Sequence, residues 1–350
     1  MDNKKVTIIG AGLCGLTIAY LLQKKGFDIT IFEADTRIGG RIDTKIGLSG
    51  AAIEMGGTWF SKPHQNFIGL LDEFKIQYFK QFTQGISLFE TMSFVPPQKF
   101  EISDSEESSF RIHGGTSKLI EKLVEKIGVQ NIKTETKITT IIEVDNHLEL
   151  TDSNGIKYTA EKVISTLPPH LLVQTIKFET ALPESIVQLA KKTHTWMGES
   201  IKFSVEYATP FWKEKNYSGT LYSQASIVQE MYDHSSPDSN GFALKGFLNG
   251  GANLLTVEER KEKIISQLTK LFGPEATDYI EYHEKIWTEE HLTFFPYEEL
   301  VLGHENNGAP EYKQPFFNNK FYISGSETAS HHPGYMEGAI IAAKNIASQF

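Results

Sequence analysis

The sequence predicts an α/β fold in two domains: an α/β domain assembled from discontinuous segments, and a smaller domain on a mixed sheet. Three observations predict it. The chain opens as strand, glycine-rich turn, helix and strand, which is one βαβ unit. The pattern loosens after Gly57, regains order past position 112 and changes texture again near 192. It closes on a strand at 320–325 followed by a helix, as an α/β layer ends. The segments 1–78, 112–191 and 290–350 are assigned to the first domain, and 79–111 with 192–289 to the second.

Each element has a local reason. "VTIIG" at 6–10 is a short apolar run of buried-strand type, "LCGLTIAYLLQKKG" is helical with Gly26 as its C-terminal cap, and "FDITIFEA" is the second strand. Helical segments are expected near 65–80. "FVPPQKFEISDSEESSFR" at 94–111 mixes prolines with an acidic serine cluster and reads as an exposed loop or domain crossing. "HGGTSKLIEKLVEKIG" gives a turn and an amphipathic helix ending at Gly128. "TKITTIIEV" is a strand, and "LELTDSNGIKYTAEKVIST" a hairpin turned at "DSNG". "TLPPHL" breaks regular structure. Beyond 192, "SIKFSVEY" is a strand, "TPFW" a breaker and "TVEERKEKIISQLTKLFG" a capped amphipathic helix. "DHSSPDSNG" and "GHENNGAPEYKQP" are polar loops.

Composition excludes several functions. With 350 residues, 40% of them hydrophobic and 22% charged, the chain buries an ordinary globular core. A net charge of −10 without clustered Lys and Arg argues against nucleic acid. The single cysteine, Cys14, excludes a disulfide framework and a multi-thiolate site within one chain, and no metal site is expected. "MDNKKVTIIG" is too short for a signal-peptide core, and no apolar run approaches a membrane span, so the expected location is the cytoplasm.

"GAGLCG" sets Gly10, Gly12 and Gly15 in GxGxxG spacing between a strand and a helix. The first glycine permits the turn, the second lets backbone approach a pyrophosphate, and the third lets helix and strand pack closely. Glu33 ends the second strand, where a carboxylate accepts ribose hydroxyls and repels a 2′-phosphate. These features make the domain Rossmann-like. Cys14 reads as a small packing residue in that loop. "EADTRIGGRIDT" adds a second bare stretch, Gly39 and Gly40, followed by Arg41. Such a stretch suits the long body of FAD better than a nicotinamide, the alternative being a simple surface turn.

"GSETASHHPGYMEGAI" at 325–340 leaves backbone bare where a helix begins, as if something were held against it. Together with "GAGLCGL", "FEADTRIGGRIDT", "MGGTWF", "HGGTSKL", "VISTLPP", "IKFSVEYATPFW" and "IWTEEH", in that order, it resembles the flavin-containing amine oxidase family nearly end to end. The resemblance implies FAD bordered by Gly325, Glu327, Gly334 and Met336, with Ile138 at the adenine and Arg41, Gly57 and Thr58 along the cofactor. It implies hydride transfer from a neutral amine in a slot between two aromatic rings, Tyr335 and Tyr297. Lys202 would assist reoxidation by dioxygen, giving hydrogen peroxide.

The sequence departs from that pattern. Pro296 stands where monoamine oxidases carry a flavin-linked cysteine, so the FAD is expected to be noncovalent. Only a short stretch separates "GGTWF" from "HGGTSKL", so most of the helical cover over the substrate is missing, as is the membrane tail. His332 replaces an aromatic residue beside Tyr335 and reads as a packing residue or a general base. Two other readings stay open: a flavin dehydrogenase or desaturase acting on a reduced nicotinamide or an isoprenoid, and a flavin-binding protein with a regulatory role.

Overall fold

The computed structural model describes residues 4–103, 108–238 and 240–350. Its first layer is a five-stranded sheet in the order Ile132–Lys133, Asp28–Phe32, Lys5–Ile9, Val163–Ser165, Phe321–Ile323, every pairing parallel. Parallel strands need crossovers, and the first is helix α1 (Leu13–Lys24). Its buried Leu13, Leu16, Ile18, Ala19 and Leu22 share one core with Val6, Ile8 and Ile31 of the sheet. The last helix, which packs on α1, presents Ala339, Ala342, Ala343 and Ala347 to that core. These small residues let two helices approach closely.

The remaining helices are α2 (Gln65–Glu73), α3 (Ser117–Ile127), α4 (Pro169–Thr175), α5 (Glu184–Lys191), α6 (Phe211–Glu214), α7 (Val257–Phe272) and α8 (Met336–Ala347). A four-stranded sheet holds the antiparallel strands Lys157–Ala160, His147–Asp152 and Ile138–Val144, with Lys177–Phe178 added in parallel. Its "DSNG" hairpin is pinned by Asp152, whose Oδ1 accepts from the amides of Asn154 and Ile156, each at 2.9 Å.

The largest sheet has seven strands in the order Tyr279–Ile286, Ile201–Tyr207, Phe242–Leu248, Val228–Asp233, Tyr217–Ser223, Ile86–Glu90, Gln98–Glu101. It is mixed because Tyr217–Ser223 and Ile86–Glu90 run parallel. α7 covers one face, burying Ile264, Leu268, Leu271 and Phe272 against Phe203, Val205 and Trp212, and starts with a Thr256–Glu259 capping box.

Four expectations change. The helical region near 65–80 stops at Glu73, because Lys75 takes a left-handed φ of 57°. Tyr78–Lys80 then forms a strand against Ser109–Ile112. The loop expected at 94–111 contains that strand and Gln98–Glu101, whose four exposed residues give no apolar alternation to read. Its acidic residues 104–107 lie outside the described ones. Val163–Ser165 leaves the hairpin for the parallel sheet. In "TLPPHL", Pro168 and Pro169 start α4, where a missing N–H costs nothing.

The ends of the parallel strands all feed one edge: Gly10 follows Ile9, Glu33 follows Phe32, Thr166 follows Ser165, and Ser324 follows Ile323. That edge is where open α/β sheets bind ligands. Gly15 holds the edge tight, because a Cβ there would lie 2.0 Å from the Gly10 carbonyl oxygen. Gly15→Ala is expected to cost more than about 2 kcal/mol, read as a lowered urea midpoint.

Candidate active site

A cavity of about 930 Å³ runs along this edge. At one end stand Glu33 and Ile138. Gly10, Gly12, Gly40 and Arg41 follow, then Gly57 and Thr58, and at the far end Lys202, Gly334, Tyr335 and Met336. Twelve of the sixteen residues singled out from the sequence therefore line one continuous trough. The other four do not: Gly15 packs inside, and Gly325, Glu327 and Tyr297 lie outside the lining.

Backbone close approach builds the middle of the trough. Gly12 caps α1 and faces Gly39 across an isolated bridge, while the Gly39 amide donates to the Ala11 carbonyl at 3.0 Å. Gly40 has φ 58°, and a Cβ on it would sit 3.4 Å from the Gly12 Cα. Arg37, which the sequence did not single out, donates to the carbonyls of Gly40 and Ile42, each at 2.7 Å, and so fixes this second loop.

Glu33 lies at the trough's end with Oε2 accepting from the Ala11 amide at 2.7 Å and Oε1 from the Asp35 amide at 2.9 Å. Burial pushes its carboxyl up, against those amides. Both oxygens keep a free lone pair for further hydroxyl donors. The open backbone at Gly12, the N-terminus of α1 and this carboxylate fit an extended dinucleotide.

Arg41 ties the two ends of the chain together. Its guanidinium makes a bidentate pair with Glu327, at 2.6 and 2.9 Å, and donates to Ser326 Oγ at 2.8 Å and the Trp196 carbonyl at 3.3 Å. Glu327 has no solvent exposure. Burial alone would raise its carboxyl, and Arg41 overrides it, holding the group below the usual carboxylate range.

The far end is aromatic. The Tyr335 ring stacks on His304 at 5.9 Å and 12°, and lies 5.6 Å from Trp196, which in turn stacks on His304 at 4.0 Å. Gly334 makes this possible, since a Cβ there would meet the Trp196 Cβ at 2.4 Å. Tyr297 makes no ring contact with Tyr335. Its hydroxyl accepts from the Thr195 amide at 2.7 Å and donates to the Thr193 carbonyl, and its ring packs on His170 at 4.3 Å. Trp196 and His304 pack beside Tyr335, and neither was singled out from the sequence. His332 is exposed and packs on His64 at 4.8 Å, away from the cavity lining.

Lys202 projects from the seven-stranded sheet into the wall, with Nζ 2.5 Å from the Gly56 carbonyl and 5.3 Å from the centre of the Phe247 ring. Burial pulls its ammonium down to about 8. A second lysine, Lys245, lies fully buried behind it, donating to Thr58 Oγ1 and sitting 4.3 Å over the Trp59 ring. Burial, then the neighbouring Lys202 charge, hold it well below the ordinary lysine range.

The flavin containing amine oxidoreductase family matches residues 13–86 and 77–349, and the chain belongs to that family. Among individual relatives, it is 32% identical over 249 residues to amine oxidase [flavin-containing] B of Canis lupus familiaris. That match covers 67% of this chain and 46% of the relative, so the chain spans about half the length of such curated mammalian relatives. A probable flavin-containing monoamine oxidase A of Dictyostelium discoideum is 24% identical, covering 96% of this chain and 94% of the relative. In fold, a putrescine oxidase structure superposes with a TM-score of 0.86 at 22% identity, covering 99% and 98% of the two chains. Cyclohexylamine oxidase from Brevibacterium oxydans IH-35A superposes equally well at 21% identity, with the same coverage.

Two outcomes are expected. Arg41→Met strands a buried carboxylate and should cost about 3–5 kcal/mol at neutral pH in urea unfolding, with much of the loss recovered in the Arg41→Met, Glu327→Gln double variant. For Lys202 the folded value near 8 lies below the ordinary 10.5. The unfolded chain therefore binds more protons between those values, and stability rises with pH across that window. Lys202→Met should flatten the rise relative to the parent protein.

Proposed function

We propose that the chain is an FAD-dependent amine oxidase that converts an amine to an imine, with noncovalent cofactor and dioxygen as electron acceptor. The observation that carries the reading is the continuity of a dinucleotide trough with an aromatic, lysine-flanked chamber. The flavin, when bound, supplies the two-electron acceptor for amine oxidation and returns the electrons to dioxygen as hydrogen peroxide.

The chain's own residues would do the rest. Glu33 holds the adenosine ribose, Ile138 packs on the adenine, and the amides at Gly10 and Gly12 with the start of α1 meet the pyrophosphate. Arg41, Gly57, Thr58 and Met336 line the remaining length. Tyr335, braced by Trp196 and His304, orients the amine, and orientation alone supplies a large share of such a rate. Lys202 places a positive charge where a developing oxygen anion needs one, and burial makes that charge count. Cys14, the single thiol, donates or accepts weakly with Ser324 at 3.6 Å, and burial pushes it up to about 12. A thiol so held is a poor nucleophile, which supports the noncovalent reading.

Anaerobic mixing of the flavin-loaded protein with an amine panel tests the reading, with bleaching of flavin absorbance as the expected result. Tyr335→Ala should slow reduction roughly tenfold or more while sparing reoxidation. Lys202→Met should do the reverse, by a similar factor. Equal effects on both half-reactions would remove Lys202 from the oxygen step. Slow reoxidation in the unmutated protein would favour the dehydrogenase reading.

A further inference from the structure

A second, smaller cavity of about 150 Å³ shares no lining residue with the trough. It lies between the short hairpin that contains Ala52–Glu54, the turn at 111–114 and the segment at 234–238. At about 30 Å³ for each water it has room for about five.

Arg111 stands in its wall, only 5% exposed. Its Nη1 lies 2.9 Å from Nδ1 of His234, Nη2 donates to the Ser235 carbonyl at 2.6 Å, and the guanidinium sits 4.8 Å over the Phe79 ring. Nε is buried without a hydrogen-bond partner. Burial pulls the guanidinium down to about 10, which leaves it charged at neutral pH. Burial, then the Arg111 charge, hold His234 well below its ordinary value, so that ring is neutral and brings no compensating charge. Among the described residues no carboxylate reaches ion-pair distance of Arg111. Asp233 and Glu54 act on it only through space.

Both acids are committed elsewhere. Asp233 faces Lys213 at 3.1 Å and accepts from Trp212 Nε1 at 3.0 Å and from Ser235 Oγ at 2.9 Å. Glu54, itself in the cavity lining, accepts from the Thr116 amide and the Thr44 hydroxyl, and its charge also serves Lys202 and Lys245. Three buried cations therefore draw on this one buried carboxylate, with Glu230 adding its field at Lys245. Asp238, the other acid in the lining, is exposed and pairs with His113 at 2.6 Å.

A buried cation short of negative charge is costly unless a ligand supplies the anion. The arginine fork matches the oxygens of carboxylate and phosphate, and Ser236 and Asn240 add neutral donors to the lining. We propose that this cavity binds a small oxyanion, inorganic phosphate or a short carboxylate, on the guanidinium of Arg111. Acetate and phosphate both match the room available. The site is separate from the trough and stands independently of the amine oxidase reading.

The test titrates the flavin-loaded protein, whose trough is filled, with inorganic phosphate and separately with acetate. Tris chloride serves as buffer, and ionic strength is held constant with chloride. At least one of the two anions should give a single-site calorimetric isotherm and raise Tm with its concentration, and the tighter of the two names the class. Arg111→Met should weaken that binding about tenfold or more, and Arg111→Lys, which keeps the charge without the fork, should recover part of it. Unchanged binding in Arg111→Met would overturn the proposal. The parent protein decides even where that variant does not fold: no isotherm with either anion, or a rise in Tm that chloride matches, would overturn it as well.

Discussion

Glu327 lies in the C-terminal segment with its carboxylate out of reach of solvent, and the guanidinium that neutralises it comes from Arg41, 286 residues earlier. The carboxylate is not stable in that place alone, because a buried charge without a partner costs several kcal/mol. The pair therefore closes the trough. It draws the second glycine loop, the Trp196 carbonyl and the bare segment before α8 into one assembly, and the lining of the cavity follows from that closure. Bidentate geometry matters here, since two parallel hydrogen bonds fix orientation as well as distance.

The opposite wall obeys a different constraint. Lys202 and Lys245 are both buried, and the pair has few negative neighbours, so burial depresses both ammonium groups. Trp59 and Phe247 supply ring faces where carboxylates would otherwise be needed. Glu230, whose Oε1 accepts from the Tyr232 hydroxyl at 2.5 Å, is the register partner of Phe247, which pairs in turn with Lys202, and a sheet is well suited to hold such a spacing because register allows no gradual slip.

The chain carries the fold of the putrescine oxidase and cyclohexylamine oxidase structures. The short segment between "GGTWF" and "HGGTSKL" forms α2 and small antiparallel strands, and Gln98–Glu101 extends the seven-stranded sheet. Tyr335 remains 38% exposed, so the aromatic end of the chamber opens toward solvent.

The sequence by itself determined the parallel sheet and the glycine-lined trough along its edge. Their signals are local: a glycine spacing, a strand end and a helix start are each set by backbone sterics within a few residues, and Gly10, Gly12, Glu33 and Gly40 needed no partner to be recognised. The C-terminal stretch was legible for the same reason, since glycines at a helix start mean close approach to something. Edge strands were not legible, because the exposed residues of Gln98–Glu101 carry no alternation. The chamber's furniture was decided only in three dimensions. Tyr297 was placed by counting from Trp287, and the rings that pack on Tyr335, Trp196 and His304, come from segments separated by more than a hundred residues. Lys245 and Glu230 look like ordinary strand residues until cross-strand register places them with Lys202 and Phe247 on one face. The pairing of distant strands, the burial of charge and the choice of counter-ion are properties of the packed chain, and no local stretch encodes them alone.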